Sequence, residues 1–241
     1  MFNISFAMVV SAAIIAAFAA ILAVYLWAEA RNNGKNGFER ATGLKLTLSG
    51  LFCVAGIFSY GMLYMVGSVT MPPQFFILLG LFAGLAGDFF LQYIRLDTKK
   101  YIAGILCFSA TQVLFITYLF ITGIPDVLGS VLTGVITAAV LVLVLVLMKK
   151  QSWKLGREQA ALTIYTVLLS FMTARAIVNL LWQPSLSSGL FALGAVLFLV
   201  SDFLLGIWNY NTSKRAHANL NWITYFAGML LIALSIMPMP L

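Results

Sequence analysis

Two aspartates stand inside long apolar runs: Asp88 in Leu85-Ala86-Gly87-Asp88-Phe89-Phe90-Leu91 and Asp202 in Leu199-Val200-Ser201-Asp202-Phe203-Leu204-Leu205. At a bilayer centre an ionised side chain costs about 2.5–3.5 kcal/mol on insertion scales, and where one occurs it faces the interior of a helix bundle. If two such carboxyl groups approach each other they cannot both ionise, so one keeps its proton near neutral pH. A carboxylic acid beside a carboxylate is a general acid beside a general base. Of the 21 charged residues only Asp88, Asp202 and Arg175 are set this deep in apolar sequence, and 18 lie in loops or at helix ends.

Little else in the chain can do chemistry. The single histidine, His217, falls in an expected loop, and no Cys/His/Glu cluster exists, so a zinc hydrolase and a Ser/His/Asp triad are both disfavoured and no metal is expected. Neither a G-x-x-x-x-G-K-S/T loop nor a G-x-G-x-x-G turn is present, and no cofactor is implied. Cys53 and Cys107 sit in apolar runs and read as packing residues.

The elements that must position the aspartates follow from composition. The chain has 241 residues, 62% hydrophobic and 9% charged, with a mean hydropathy of +1.03, whereas a soluble domain has about 25% charged residues. An all-α integral membrane protein results, and disorder and disulfide-scaffold classes drop out. Spans of roughly 20 apolar residues are expected near 5–27, 44–66, 74–95, 101–123, 126–148, 158–182, 188–209 and 219–239. Eight spans leave mostly turns, so residues 1–241 read as one polytopic domain. Breakers at Met71-Pro72-Pro73, Gly123-Ile124-Pro125-Asp126 and Gln183-Pro184-Ser185 read as tight turns. The first stretch, with no basic n-region and a long apolar run, reads as a retained helix rather than a signal peptide.

Thirteen of the fourteen basic residues fall in alternate connections or at the helix ends beside them, from Arg31 to Arg215, and the opposite loops have none. The positive-inside rule makes that face cytoplasmic, with both termini outside, and accounts for the net charge of +7 without nucleic acid. If the third stretch ends at Arg95 and the seventh near Asn209, each aspartate lies seven residues inside that face, roughly 10 Å. The same depth reaches Phe108 and Ser109, with Gln112 a turn above, on the fourth stretch, Tyr165 on the sixth and Tyr225 on the eighth. Gln112, Tyr165 and Tyr225 are the candidate substrate contacts; Lys45, at the mouth of the second stretch, suits a phosphate. Arg175 should lie about 15 Å beyond the aspartates, snorkelling outward or capping a cavity.

The likeness of the two aspartate segments admits a parallel duplication of a four-helix unit. Besides a hydrolase, paired membrane carboxylates suit a proton-coupled transporter, or a lipid-binding protein that uses them for packing. Central proline or paired glycine breaks would favour transport, and the prolines here lie mainly in turns. An intramembrane aspartyl protease fits poorly, because Gly84-Leu85-Ala86-Gly87-Asp88 lacks G-x-G-D and no late Pro-Ala-Leu segment follows.

The sequence resembles the YhhN-like family of eight-helix membrane proteins, whose animal and some bacterial members are lysoplasmalogenases. The resemblance rests on Leu44-Lys45-Leu46-Thr47, Gly87-Asp88, the run from Gly104 through Phe108 to Gln112, Tyr165 with Met172, Ser201-Asp202 and Tyr225-Phe226-Ala227-Gly228. The family usually has Lys-Pro at Lys45-Leu46, His at Gln112 and Tyr at Phe115, so activity or substrate choice here is open to difference. The resemblance implies hydrolysis of the vinyl ether of a lysoplasmalogen, a lysophospholipid drawn from membrane lipid, to a fatty aldehyde and glycerophospho-ethanolamine or glycerophosphocholine. The aspartate pair supplies the acid and base such hydrolysis needs, as in two-carboxylate glycoside hydrolysis.

Overall fold

The fold is taken from a computed structural model, which describes residues 4–31, 42–66, 72–93, 96–124, 126–150, 156–210 and 215–237. These form eight helices: α1 (Ile4–Arg31), α2 (Thr42–Val66), α3 (Phe75–Leu91), α4 (Thr98–Thr122), α5 (Val127–Lys150), α6 (Gln159–Trp182), α7 (Leu186–Tyr210) and α8 (Arg215–Leu234). Among the described residues there is no strand. The breakers act locally as their chemistry requires. The Phe75 and Phe76 N–H groups donate to the Pro72 and Pro73 carbonyls, both at 3.0 Å, to start α3. Asp97 caps α4, accepting from the Lys99 and Lys100 N–H groups at 2.9 and 3.3 Å, and Asp126 caps α5 through the Gly129 N–H at 2.8 Å.

Several helix boundaries and one residue differ from the sequence reading; α1, for one, runs to Arg31 and not 27. The third helix stops at Leu91, not 95, because the Tyr93 N–H turns back to the Phe90 carbonyl at 3.1 Å. Helix α8 begins at Arg215 and ends at Leu234 instead of spanning 219–239. His217 is therefore helical and not in a loop. Residues Lys35, Arg40, Arg95, Lys154 and Lys214, which carry much of the orientation argument, lie outside the described residues.

The packing is a ring. Neighbours run α2, α3, α4, α6, α7, α8 and back to α2, with α1 lying against α2 and α5 against α6. Six of the eight helices are long and apolar enough to cross a membrane. The others are α3, with 17 residues, and α8, whose first two turns contain Arg215, His217, Asn219 and Asn221. The outward surface is itself apolar: Val127, Leu128, Val131, Val135, Val142 and Val146 of α5 are all exposed. A surface of that kind is stable against lipid and not against water, and the protein is membrane-embedded.

Lipid tails are as apolar as leucine, so cohesion inside the ring must come from close packing and hydrogen bonds. Helices α7 and α8 approach backbone to backbone at Gly194 and Gly228. A Cβ on Gly194 would stand 2.7 Å from the Gly228 carbonyl oxygen and 3.2 Å from the Ile232 nitrogen, neither of which can swing aside. Gly194→Ala is therefore expected to destabilise the protein by about 1–3 kcal/mol in thermal unfolding in detergent. Gly134→Ala, where nothing lies within 4 Å of the added carbon, should be neutral or slightly stabilising; equal losses for both would contradict the close contact.

A candidate active site around two unlike carboxylates

Each helix of the ring sends a side chain into one cluster. Asp88, 2% exposed, lies on α3 three residues from that helix's end, about 5 Å. Asp202 is eight residues from the end of α7, about 12 Å. Equal depth, as the sequence suggests, is replaced by unequal distances, because α3 stops short. The two carboxyls nonetheless share a site: Asp88 is near enough to act electrostatically on Asp202, and Tyr225 lies in the field of both.

Their partners differ in kind. Asp88 Oδ2 accepts from the Ser49 hydroxyl of α2 at 2.7 Å and from the Tyr225 hydroxyl of α8 at 2.6 Å. Its Oδ1 is 3.3 Å from Lys45 Nζ. That ammonium offsets two penalties, burial of the charge and its position near the negative C-terminal end of α3. Among the described residues this is the one ion pair. Among the described residues no cation stands that close to half-buried Asp202; its Oδ2 accepts a short hydrogen bond from the Tyr165 hydroxyl of α6. Ser201 Oγ lies 3.3 Å from Asp202 Oδ1 but 2.7 Å from the Phe198 carbonyl. The Asn221 amide of α8 holds the Ser201 carbonyl at 2.7 Å.

Rings fix the hydroxyls in direction. The Tyr225 ring meets Phe108 and Phe198 edge-on at centroid distances of 6.0 and 5.6 Å. Phe108 presses so closely on the chain beside Asp88 that a Cβ on Gly87 would stand 2.7 Å from it. Gln112 of α4 is fully buried beside the Tyr165 hydroxyl. Neither end of its amide reaches a protein partner in hydrogen-bonding geometry, so it can both donate and accept. Ser109, by contrast, bonds back to Ile105 of its own helix at 2.9 Å.

The six residues singled out in the sequence, Asp88, Asp202, Lys45, Gln112, Tyr165 and Tyr225, thus lie around one cluster. Lys45 touches Asp88 directly, which the sequence reading did not foresee. Ser49 was missed as well; its signal is the spacing from Lys45, four residues on and so on the same helix face. Arg175 does not snorkel. It is 3% exposed, lies over the Phe120 ring at 4.7 Å and donates through Nη2 to the Ile124 carbonyl at 3.5 Å, at the α4–α5 connection. A cavity of about 260 Å³ lies at that end, lined by Tyr118, Asn179, Gln183, Ser187, Ser188 and Phe191 among others, away from the aspartates. Among the described residues no group of three or more His, Cys, Asp or Glu could hold a metal ion.

The model of the YhhN family matches residues 43–236, a stretch that contains all six site residues. No curated protein matches the chain, and no solved structure does.

If Lys45 is what lets Asp88 remain charged, Lys45→Met should destabilise the protein by about 2–4 kcal/mol, the lower end reflecting the residual solvent contact of the lysine. Lys45→Met combined with Asp88→Asn should recover much of that loss. Additive losses in a double-mutant cycle of detergent unfolding would show the two groups to be uncoupled.

Proposed function

The chain belongs to the YhhN family, and on that premise we propose that it is an intramembrane hydrolase of the vinyl ether bond of lysoplasmalogens. The products are a fatty aldehyde and glycerophospho-ethanolamine or glycerophosphocholine. The observation that carries this reading is the unlike pair: Asp88 with an ammonium at 3.3 Å, and Asp202 with tyrosine and serine hydroxyls beside it. Asp88 is then the carboxylate and Asp202 the acid. The single hydrogen of Ser201 serves the closer Phe198 carbonyl, so its oxygen is free to accept from a protonated Asp202.

A vinyl ether, R'O–CH=CH–R, is opened by protonation of the carbon distal to oxygen. Asp202 gives its proton to that carbon, and the double-bond electrons form the new C–H bond, leaving an oxocarbenium ion. Asp88 stabilises the cation and takes a proton from water as the water oxygen bonds to the carbon bearing R'O. In the hemiacetal so formed, Asp88 returns its proton to the ether oxygen. The C–O bond breaks, and Asp202 takes back the hemiacetal hydroxyl proton, so both carboxyls end as they began. Gln112 and Tyr165 orient the water or the ether oxygen, and Lys45 binds the phosphate with its remaining donors.

The same reading extends to topology: eight spans in a single domain, the basic loops and the site opening cytoplasmic, both termini outside. It includes a parallel duplication of four helices. In support, exchanging α1–α4 with α5–α8 turns α1 on α2 into α5 on α6, and α2 on α8 into α6 on α4, all of which are neighbours. Neither α3 nor α7 is interrupted at its aspartate, which favours a hydrolase over a transporter with broken helices.

In Asp88→Asn and Asp202→Asn proteins that still fold, aldehyde release from a lysoplasmenyl lipid should fall by about 10²–10⁴-fold. The ester-linked analogue should give no aldehyde with any of these proteins. Unchanged release in either variant would overturn the assignment.

A further inference from the structure

Asp97 and Asp126 each cap a helix, but Glu158, at the corresponding position before α6, makes no side-chain cap. Its Oε1 instead accepts the Tyr210 hydroxyl at the end of α7 at 3.0 Å and the Gly156 N–H at 3.2 Å. Tyr210 and Tyr101, in the first turn of α4, bring their hydroxyl oxygens to 3.3 Å. Tyr101 lies in the field of both Glu158 and Asp202, so the row leads from the end of the bundle to the carboxylate pair. Burial works against the charge on Glu158, but the N–H groups of Glu158 and Gly156 and the Tyr210 hydroxyl outweigh it, holding the carboxyl below its ordinary value. It is ionised at neutral pH, and among the described residues no cation pairs with it.

We infer that Glu158, with Tyr210 and Tyr101, receives the cationic amine of the phospholipid headgroup, ammonium or trimethylammonium, while the vinyl ether stands at Asp88 and Asp202. This rests on the hydrolase reading above. The lengths agree: Tyr210 is eight residues beyond Asp202 on one continuous helix, a rise of about 12 Å, and the nine bonds from ether oxygen to headgroup nitrogen extend about 11 Å at single-bond lengths near 1.5 Å. The charges agree too, with a carboxylate and two aromatic rings for the amine and Lys45 for the phosphate. A tyrosine row also suits a proton wire, but the hydrolysis returns every proton it takes and has no net demand for one.

The test uses the full-length protein in detergent with lysoplasmenyl-choline and lysoplasmenyl-glycerol lipids, the second lacking the amine. Glu158→Gln is expected to lower the ratio of kcat/KM for choline over glycerol about tenfold, through KM for the choline lipid. Glu158→Lys, a reversal at a half-buried position, is expected to invert the preference. An unchanged ratio in a folded variant, or a loss confined to kcat, overturns the inference. If the wild-type protein releases no aldehyde from either lipid, the hydrolase reading has failed instead. Binding of lysophosphatidylcholine against lysophosphatidylglycerol, followed by tryptophan fluorescence, then decides the amine site: a choline preference weakened by Glu158→Gln supports it, and equal binding overturns it.

Discussion

A buried carboxylate in an apolar bundle has to be satisfied from several directions at once, and Asp88 organises the ring on that account. Lys45 and Ser49 come from α2, Tyr225 from α8, and all three converge on two oxygens of α3. Van der Waals packing alone holds membrane helices together without strong directional preference. Three polar contacts to one carboxylate fix the register of α2 and α8 on α3, and the aromatic contacts of Tyr225 extend that register to α4 and α7. The Gly194–Gly228 approach then brings α7 and its aspartate close against α8.

The same arrangement makes the two carboxyls chemically different. On the proposed hydrolase reading, a charge partner at one and hydroxyl partners at the other divide the pair into base and acid. Gln112, fully buried, adds a donor and an acceptor beside Tyr165.

The aspartates were legible in the sequence because nothing in Leu85–Leu91 or Leu199–Leu205 other than the aspartate and the adjoining serine departs from apolar or small residues. Tyr165, Tyr225 and Gln112 followed from counting turns, since 1.5 Å per residue carries across all helices of similar tilt. The end of α3 did not follow: Gln92, Tyr93 and Ile94 contain no breaker, and only the turn to the Phe90 carbonyl closes the helix. The start of α8 was hidden for the opposite reason, because Arg215–Asn221 is polar yet has no Gly or Pro to stop a helix, and Asn221 is used against the Ser201 carbonyl. The Lys45–Asp88 pair was obscured because a lysine near a membrane face suits a headgroup as well as a carboxylate. Arg175 turned inward for a reason no count of depth contains, the ring of Phe120 and the Ile124 carbonyl at the α4–α5 connection.

Protonation at carbon by one enzyme carboxyl is the central claim, and the fate of a solvent deuteron tests it most directly. Hydrolysis of a lysoplasmenyl lipid in D₂O, with the aldehyde trapped, its deuterium counted by mass spectrometry and its configuration read by NMR of a chiral derivative, should give one deuterium on the carbon next to the carbonyl, added to a single face. Aldehyde carrying no deuterium there, or carrying it equally on both faces, would contradict the account.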